Sequence, residues 1–343
     1  VAAHLADAIC DSFGNPFRVS GRKVSLECSI GIVMSNEQSK TAEQMLKNAD
    51  LALLSAKKNG RGDWRVFNAE MSREMKRRHK LENDLRVALA GNQFEAHFQP
   101  IVNVKEGRVS VCEALLRWKH PTNGYISPAS FVPIAEELGL ITDIGSWMLF
   151  EACTACASWP GGTRVAVNLS PIQFKHGDLA QTVKDALAHS GLEADRLELE
   201  ITESLMLENV GQTIELLNQF NRMGVRISLD DFGTGYSSLS YMNELPLDKV
   251  KIDRSFILDL QANSNSLTLV QAVTALGQKL GLTVVVEGIE TKEQLELLLL
   301  NTPIDEIQGY LFSKPVNGEA VRPLLDKRQI GNKSMLATLN SSR

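Results

Sequence analysis

Eight short, apolar, β-rich runs recur between residues 94 and 312, and helix-length stretches separate most of them. They are FEAHFQPIV (94–102), VSVCEALLRW (109–118), RVAVNLS (164–170), RLELEITES (196–204), RISLDDF (226–232), DKVKID (248–253), TVVVEGIE (283–290) and DEIQGYLF (305–312). The intervening stretches include PASFVPIAEELGLI, AQTVKDALAHSG, VGQTIELLNQFNRMG, SLTLVQAVTALGQKLG and TKEQLELLLL. Gly191, Gly224 and Gly281 stand where helices of this kind end. A chain alternating strand and helix in this way packs a mostly parallel sheet against outer helices, and eight repeats close that sheet into a (β/α)8 barrel. The competing architecture, an open doubly wound sheet, usually brings a glycine-rich turn after its first strand, and none is seen here.

The first two runs break the rhythm. Only a short link containing Gly107 joins them, too little for a crossover helix, so they are expected to form an antiparallel hairpin. The expected fold is therefore α/β: a modified (β/α)8 TIM barrel with one antiparallel strand, over 92–327. Ahead of it, residues 1–68 hold a strand-like VSLECSIGIV and a helix-like AEQMLKNADLALLSAKKNG, an α/β fragment. Residues 69–91 place Leu81, Leu85, Val87 and Leu89 among many charges, with no Pro and no Gly before Gly91, which reads as a solvated connector helix. The tail, 328–343, is polar and aperiodic and is expected to fray.

Composition excludes several classes. Lys+Arg number 36 against 41 Asp+Glu, a net charge of −5, which disfavours a DNA-, RNA- or membrane-coating role. No run approaches the roughly 18 apolar residues of a membrane span, and the start is not a signal peptide. Five scattered cysteines are no disulfide framework, and they point to a reducing, cytoplasmic setting. An inner-membrane anchor would have to lie in segments outside this sequence. Cys153 and Cys156 form a C-x-x-C, but inside FEACTACASW they read as a packed helix of small residues rather than a zinc or redox site.

In such a barrel, polar residues at the C-terminal strand ends converge on one face. Here those ends carry Glu113, Asn168, Glu200 and Glu203, Asp230 and Asp231, Lys251 and Asp253, Glu287 and Glu290, and Gln308. Most follow β-branched, apolar residues: VAV before Asn168, ISL before Asp230, VVV before Glu287. Burying that much negative charge unpaired is prohibitive. With Lys251 and Arg117 as the only bases of the set, divalent cations are the expected remedy. The ligands are all oxygens, which selects Mg²⁺ or Mn²⁺ over zinc or copper. Two such ions, about 3.5–4 Å apart, polarise water and stabilise a leaving phosphoester oxygen. Adjacent aspartates on an extended strand point apart, so a turn at Asp230-Asp231, eased by Gly233 and Gly235, is needed for both to reach the mouth.

The text around Glu113-Ala114-Leu115-Leu116-Arg117-Trp118 resembles the signature of EAL-domain cyclic di-GMP phosphodiesterases. QPIV from Gln99, ISPASFVPIAEELGLI, NLSP, ELEITES, DDFGTGYSSL, KVKIDRSF, VVVEGIE and QGYLFSKP are similar to the family's motifs and stand in its order. The resemblance implies that Glu113, Asn168, Glu200 and Asp230 hold one metal, with Asp230 bridging to a second held also by Asp231 and Glu287. It implies that Lys251 orients or activates the attacking water, with Glu287 the alternative for that role. Glu203 would steady the DDFGTGYSS loop, which couples the site to a homodimer interface on the barrel. Gln99, Leu115, Arg117, Glu290 and Gln308 would contact cyclic di-GMP, beside Glu113 and Asp231. Residues 1–68 resemble the C-terminal part of a GGDEF diguanylate cyclase domain, with phosphate contacts falling on Lys57 and Arg61. The string G-G-D-E-F does not occur in the sequence, so no cyclase activity is expected of it.

Two functions from different classes follow. One is hydrolysis of cyclic di-GMP to linear pGpG with two Mg²⁺ or Mn²⁺ ions; the other is binding of the nucleotide without cleavage. A pure receptor is expected to lose acids or the lysine, and this sequence keeps them all. Without the resemblance, the residues alone would fit metal-dependent chemistry on another substrate.

Overall fold

In the computed structural model of the chain, which describes residues 2–20, 22–35, 41–58, 62–207, 210–233, 244–258, 260 and 264–326, the eight apolar runs become eight strands of one closed sheet. They are β1 (Phe94–Asn103), β2 (Arg108–His120), β3 (Arg164–Asn168), β4 (Leu197–Thr202), β5 (Arg226–Phe232), β6 (Lys249–Ile252), β7 (Thr283–Val286) and β8 (Glu306–Gln308). From β2 to β8 each strand pairs in parallel with the next. β1 lies antiparallel to both β2 and β8, and these two pairings close the ring. The reversed strand is thus the first one, as the short link between the opening runs requires. That link turns through Gly107 at φ 66, whose N–H donates to the Asn103 carbonyl at 2.8 Å.

Both faces of the sheet are covered, which is why the strands read as near-continuous apolar runs. Val165, Val167, Leu197, Leu199, Ile201, Ile227, Val250, Val284 and Val286 belong to the main core, which also takes in Leu149, Val183, Leu217, Val270 and Leu298 from the outer helices. Those helices include Ile141–Ala157, Leu179–Ser190, Val210–Arg222, Ser264–Lys279 and Lys292–Asn301. A second, small cluster of Ile101, Val111, Ala166 and Val285 fills the barrel itself. Gly191 ends its helix at φ 68, in the left-handed conformation the sequence calls for.

Cys153 and Cys156 lie within Ile141–Ala157, fully buried. Burial pushes both thiols up to about 12, and all five cysteines are free, so the C-x-x-C is a packing feature. Among the described residues no helix is long and apolar enough to cross a membrane.

Residues Val1–Val87 and Ala88–Arg343 form two separate units. In the first, strand Ile30–Ile32 pairs in parallel with Trp64–Val66, and helix Ala42–Lys58 makes the crossover between them. Gly31 is tight beneath that helix; a Cβ there would collide with the Ala49 carbonyl and the Leu53 backbone. The long polar helix ends at Ala88 rather than at 91, because Leu89–Asn92 turns with Asn92 at φ 50. Arg61, Gly235 and the tail from 328 lie outside the described residues.

One end of the barrel is stiffened by an aromatic cluster. Phe131 lies 5.4 Å from Trp118 and 6.0 Å from Phe94, ring centre to ring centre, and is fully buried. Phe131→Ala should therefore cost about 3–5 kcal/mol of stability, read as a lowered urea midpoint with an unchanged slope.

Candidate active site at the barrel mouth

Side chains on a parallel strand alternate between the barrel interior and the helical layer, so residues two apart share a face. Glu200 on β4, Asp230 on β5 and Lys251 on β6 all point inward near their strand ends. The Lys251 ammonium lies 2.6 Å from Glu287 Oε1, 3.0 Å from Glu200 Oε2, 3.2 Å from Asp230 Oδ1 and 3.6 Å from Glu113 Oε2. Lys251 is completely buried, and among the described residues it is the one base paired with these four acids. Arg117, expected to share that task, is turned away, its guanidinium donating to the Leu116 carbonyl at 2.9 Å.

Amides complete the floor. Gln308 donates to Glu113 Oε2 at 2.6 Å and to Gln99 Oε1 at 3.3 Å, while Asn168 donates to Glu113 Oε1 at 2.7 Å. Gln308 Oε1 and Glu200 Oε1 are buried with no hydrogen-bond partner. Unpaired buried acceptors of this kind suit a cation or an ordered water.

At Asp230-Asp231 the strand breaks its own alternation. Asp231 takes φ 54, and the pairing of β5 with β6 shifts register between Leu229 and Phe232. The Asp231 N–H donates to Asp230 Oδ1 at 2.9 Å. The departure brings carboxylate oxygens of Asp230, Asp231 and Glu287 within 4.8 Å of one another, close enough for one ion. Glu203 stands behind them and accepts from the Gly233 N–H at 3.0 Å, at the start of the DDFGTGYSS loop; the rest of that loop, from 234, lies outside the described residues.

A cavity of about 170 Å³ opens above this floor, lined by Gln99, Glu113, Leu115, Asp230, Glu287, Glu290 and Gln308. Arg254 and Tyr310 also line it, and sequence reasoning assigned them no role. Their signals were a base directly after Asp253 and an aromatic directly after Gln308-Gly309. Glu290 is exposed, and Asp253 accepts from the Ser255 N–H while its charge adds to that felt by Asp231.

One ammonium cannot neutralise four carboxylates, and the ionisation of the cluster reflects this. Burial, reinforced by the charges of Asp230 and Glu113, pushes Glu287 up to about 8 despite Lys251. Burial likewise raises Glu200 well above an ordinary carboxyl, and it raises Asp231 with help from Asp230. For Glu113 burial is outweighed by Lys251 and by the hydrogen bonds from Gln308 and Asn168, which hold it below the usual range. Burial opposes the charge on Lys251, but the surrounding acids, Asp230 first, hold its proton more firmly than usual.

A closed α/β barrel with an acid cluster and a buried lysine at the C-terminal ends of its strands has, as a class, the layout of a barrel active site. The comparisons narrow the class: residues 82–315 match the EAL domain family, and residues 1–63 match the family described as diguanylate cyclase, GGDEF domain. The chain belongs to the EAL domain family. MucR of Pseudomonas aeruginosa, a bifunctional diguanylate cyclase/cyclic di-GMP phosphodiesterase, is 40% identical over 322 residues, 93% of this chain and 47% of MucR. The cyclic di-GMP phosphodiesterase NbdA of the same organism is 38% identical over 342 residues, 98% of this chain and 44% of NbdA. The chain thus spans less than half the length of these relatives. Among solved structures, the c-di-GMP complex of the PaMucR phosphodiesterase is 43% identical with a TM-score of 0.68, covering 71% of this chain and 99% of that one.

The raised carboxyls have a consequence for stability. Glu287 keeps its proton in the folded chain up to about 8 but loses it near 4.5 when unfolded. Its contribution is complete below the unfolded value and is lost as pH rises through the folded one. The Tm of the metal-free protein should fall between about pH 4.5 and about pH 8, and Glu287→Gln should flatten that slope; an equal slope in both proteins would mean Glu287 is already ionised at neutral pH.

Proposed function

We propose that this chain hydrolyses cyclic di-GMP to linear pGpG with two Mg²⁺ or Mn²⁺ ions, in bacterial second-messenger signalling. The observation that carries the reading is the oxygen-only cluster around Lys251, with three carboxylates within 4.8 Å of one another and buried oxygens left unpartnered. Hard cations prefer such donors. Glu113, Asn168, Glu200 and Asp230 would hold one ion, and Asp230, Asp231 and Glu287 the other. When bound, the ions supply the Lewis acidity that makes water nucleophilic near neutral pH and that offsets charge on the phosphodiester.

The remaining work falls to the protein. The Lys251 ammonium would donate to the attacking water and hold it in line. Gln308 and Gln99, linked at 3.3 Å, fix the floor on which a phosphate rests. Arg254 brings positive charge to the rim, and the exposed Tyr310 offers a ring face for a guanine base. Leu115 and Glu290 line the same cavity, and Arg117 would meet substrate only after leaving the Leu116 carbonyl. Glu203 secures the loop that carries Asp231. A homodimer through the barrel and a cytoplasmic location belong to the same reading, and the names of MucR and NbdA support the substrate. The segment 1–63, a partial match to the GGDEF domain, would precede the barrel without making cyclic di-GMP.

Separation of nucleotide products after incubation with cyclic di-GMP tests the proposal directly. Mn²⁺ or Mg²⁺ should yield pGpG, chelation should abolish it, and Glu113→Ala should remove most of the rate. Lys251→Ala should lower kcat by about 100-fold or more, while the affinity for cyclic di-GMP under non-turnover conditions stays within about threefold of the parent. Tight binding with no product would favour a receptor, and a parental rate in Lys251→Ala would pass its role to Glu287.

A further inference from the structure

Beneath the acidic mouth the barrel holds a second charged layer that the proposed reaction does not use. Lys249 Nζ lies 2.6 Å from Glu198 Oε2 and 2.7 Å from Glu306 Oε2. Arg164 joins the same two acids from the other side, at 3.0 Å to Glu198 Oε1 and 3.3 Å to Glu306 Oε1. Two acids and two bases therefore alternate in a closed ring. Glu198, Lys249 and Glu306 are buried to within 2% of completely, and the Ser110 hydroxyl donates to Glu306 Oε1 at 2.6 Å. The apolar cluster of Ile101, Val111, Ala166 and Val285 fills the barrel alongside it.

A buried ion ring is a poor source of stability, since apolar residues of like volume often serve as well or better. What it does supply is position. Glu198, Lys249 and Glu306 stand two residues before Glu200, Lys251 and Gln308 on β4, β6 and β8, on the same face of each strand. Arg164 opens β3, which ends at Asn168. A slip of one residue in any of these strands would pull a charge out of the ring and turn its partner in the mouth toward the helices.

We propose that Arg164, Glu198, Lys249 and Glu306 are positioning residues: their ring locks the axial register of β3, β4, β6 and β8 and so sets the spacing of Asn168, Glu200, Lys251 and Gln308 above it. The ring acts on rate through those four residues, and this part rests on the phosphodiesterase reading. Its action on metal affinity needs only that the mouth binds a cation.

The full chain carrying Glu198→Gln with Lys249→Met keeps one acid and one base, Glu306 and Arg164, and removes the ring. Folding is checked by circular dichroism, Mn²⁺ affinity by calorimetry, and kcat and KM by pGpG release. The folded variant should bind Mn²⁺ about 10-fold more weakly and lose about 10-fold in kcat, with KM for cyclic di-GMP within about threefold. Parental Mn²⁺ affinity and kcat in the folded variant would overturn the proposal. Arg164→Gln opens the ring at its least buried member, whose side chain is 19% exposed, and decides the matter if the double variant does not fold. It should weaken Mn²⁺ binding and kcat by about threefold, and no change in either would overturn the proposal. A parent that binds Mn²⁺ but forms no pGpG would defeat the phosphodiesterase reading alone, and the Mn²⁺ comparison would still decide the ring.

Discussion

The Lys251 ammonium is fully buried and lies within 3.6 Å of four carboxylates contributed by different segments of the barrel. Removing a base from water in this way is costly, and only several close opposite charges repay it. The requirement runs in both directions. Lys251 offsets part of the repulsion among the acids, and without the acids β6 could not end in an inward lysine. The register of β4, β5 and β6, in which Ser228 pairs with both Glu200 and Lys249, is what brings the two halves together.

Viewed along the axis, the interior differs from a barrel filled with branched apolar side chains throughout. A balanced ionic ring lies toward the N-terminal strand ends, and an acid-rich layer with a single base lies at the mouth. On β3 the succession Arg164, Ala166, Asn168 passes through ring, apolar cluster and mouth in three inward positions. Charge balance separates the two polar layers in kind. The lower ring balances its own charge and is closed. The upper layer is short of positive charge.

Much of this was legible in the sequence, because the period-2 alternation and the strand-end acids are local patterns. The reversed β1 followed from the length of one link, and Glu113, Glu200, Asp230, Lys251 and Glu287 followed from their place after apolar runs. Two things were not legible. A turn at Asp230-Asp231 was expected, but that Asp231 itself takes φ 54, still within the strand, was not. The ring was hidden too: Glu198, Lys249 and Glu306 each look like a solvated strand charge, and only closure of the barrel brings β4, β6 and β8 to one axis. Arg117 shows the same limit, since a base next to the acids in the chain need not be next to them in space.

The shortage of positive charge at the mouth links folding to chemistry. Burial raises Glu200 and pushes Glu287 up to about 8, so near neutral pH a proton on Glu287 helps hold the cluster together beside Lys251. On the proposed reading a divalent cation would replace that proton, and its affinity would depend on how poorly the acids are satisfied without it. A better-paired mouth, with a second lysine or arginine among the acids, would be more stable empty and would bind cations less well. The closed ring below compensates for that strain without touching it: by satisfying its own charges it holds the strands in register, so that the acids above can remain under-neutralised and close together. Strand register and the shortage of positive charge are in this way assigned to different layers of the same strands, two residues apart.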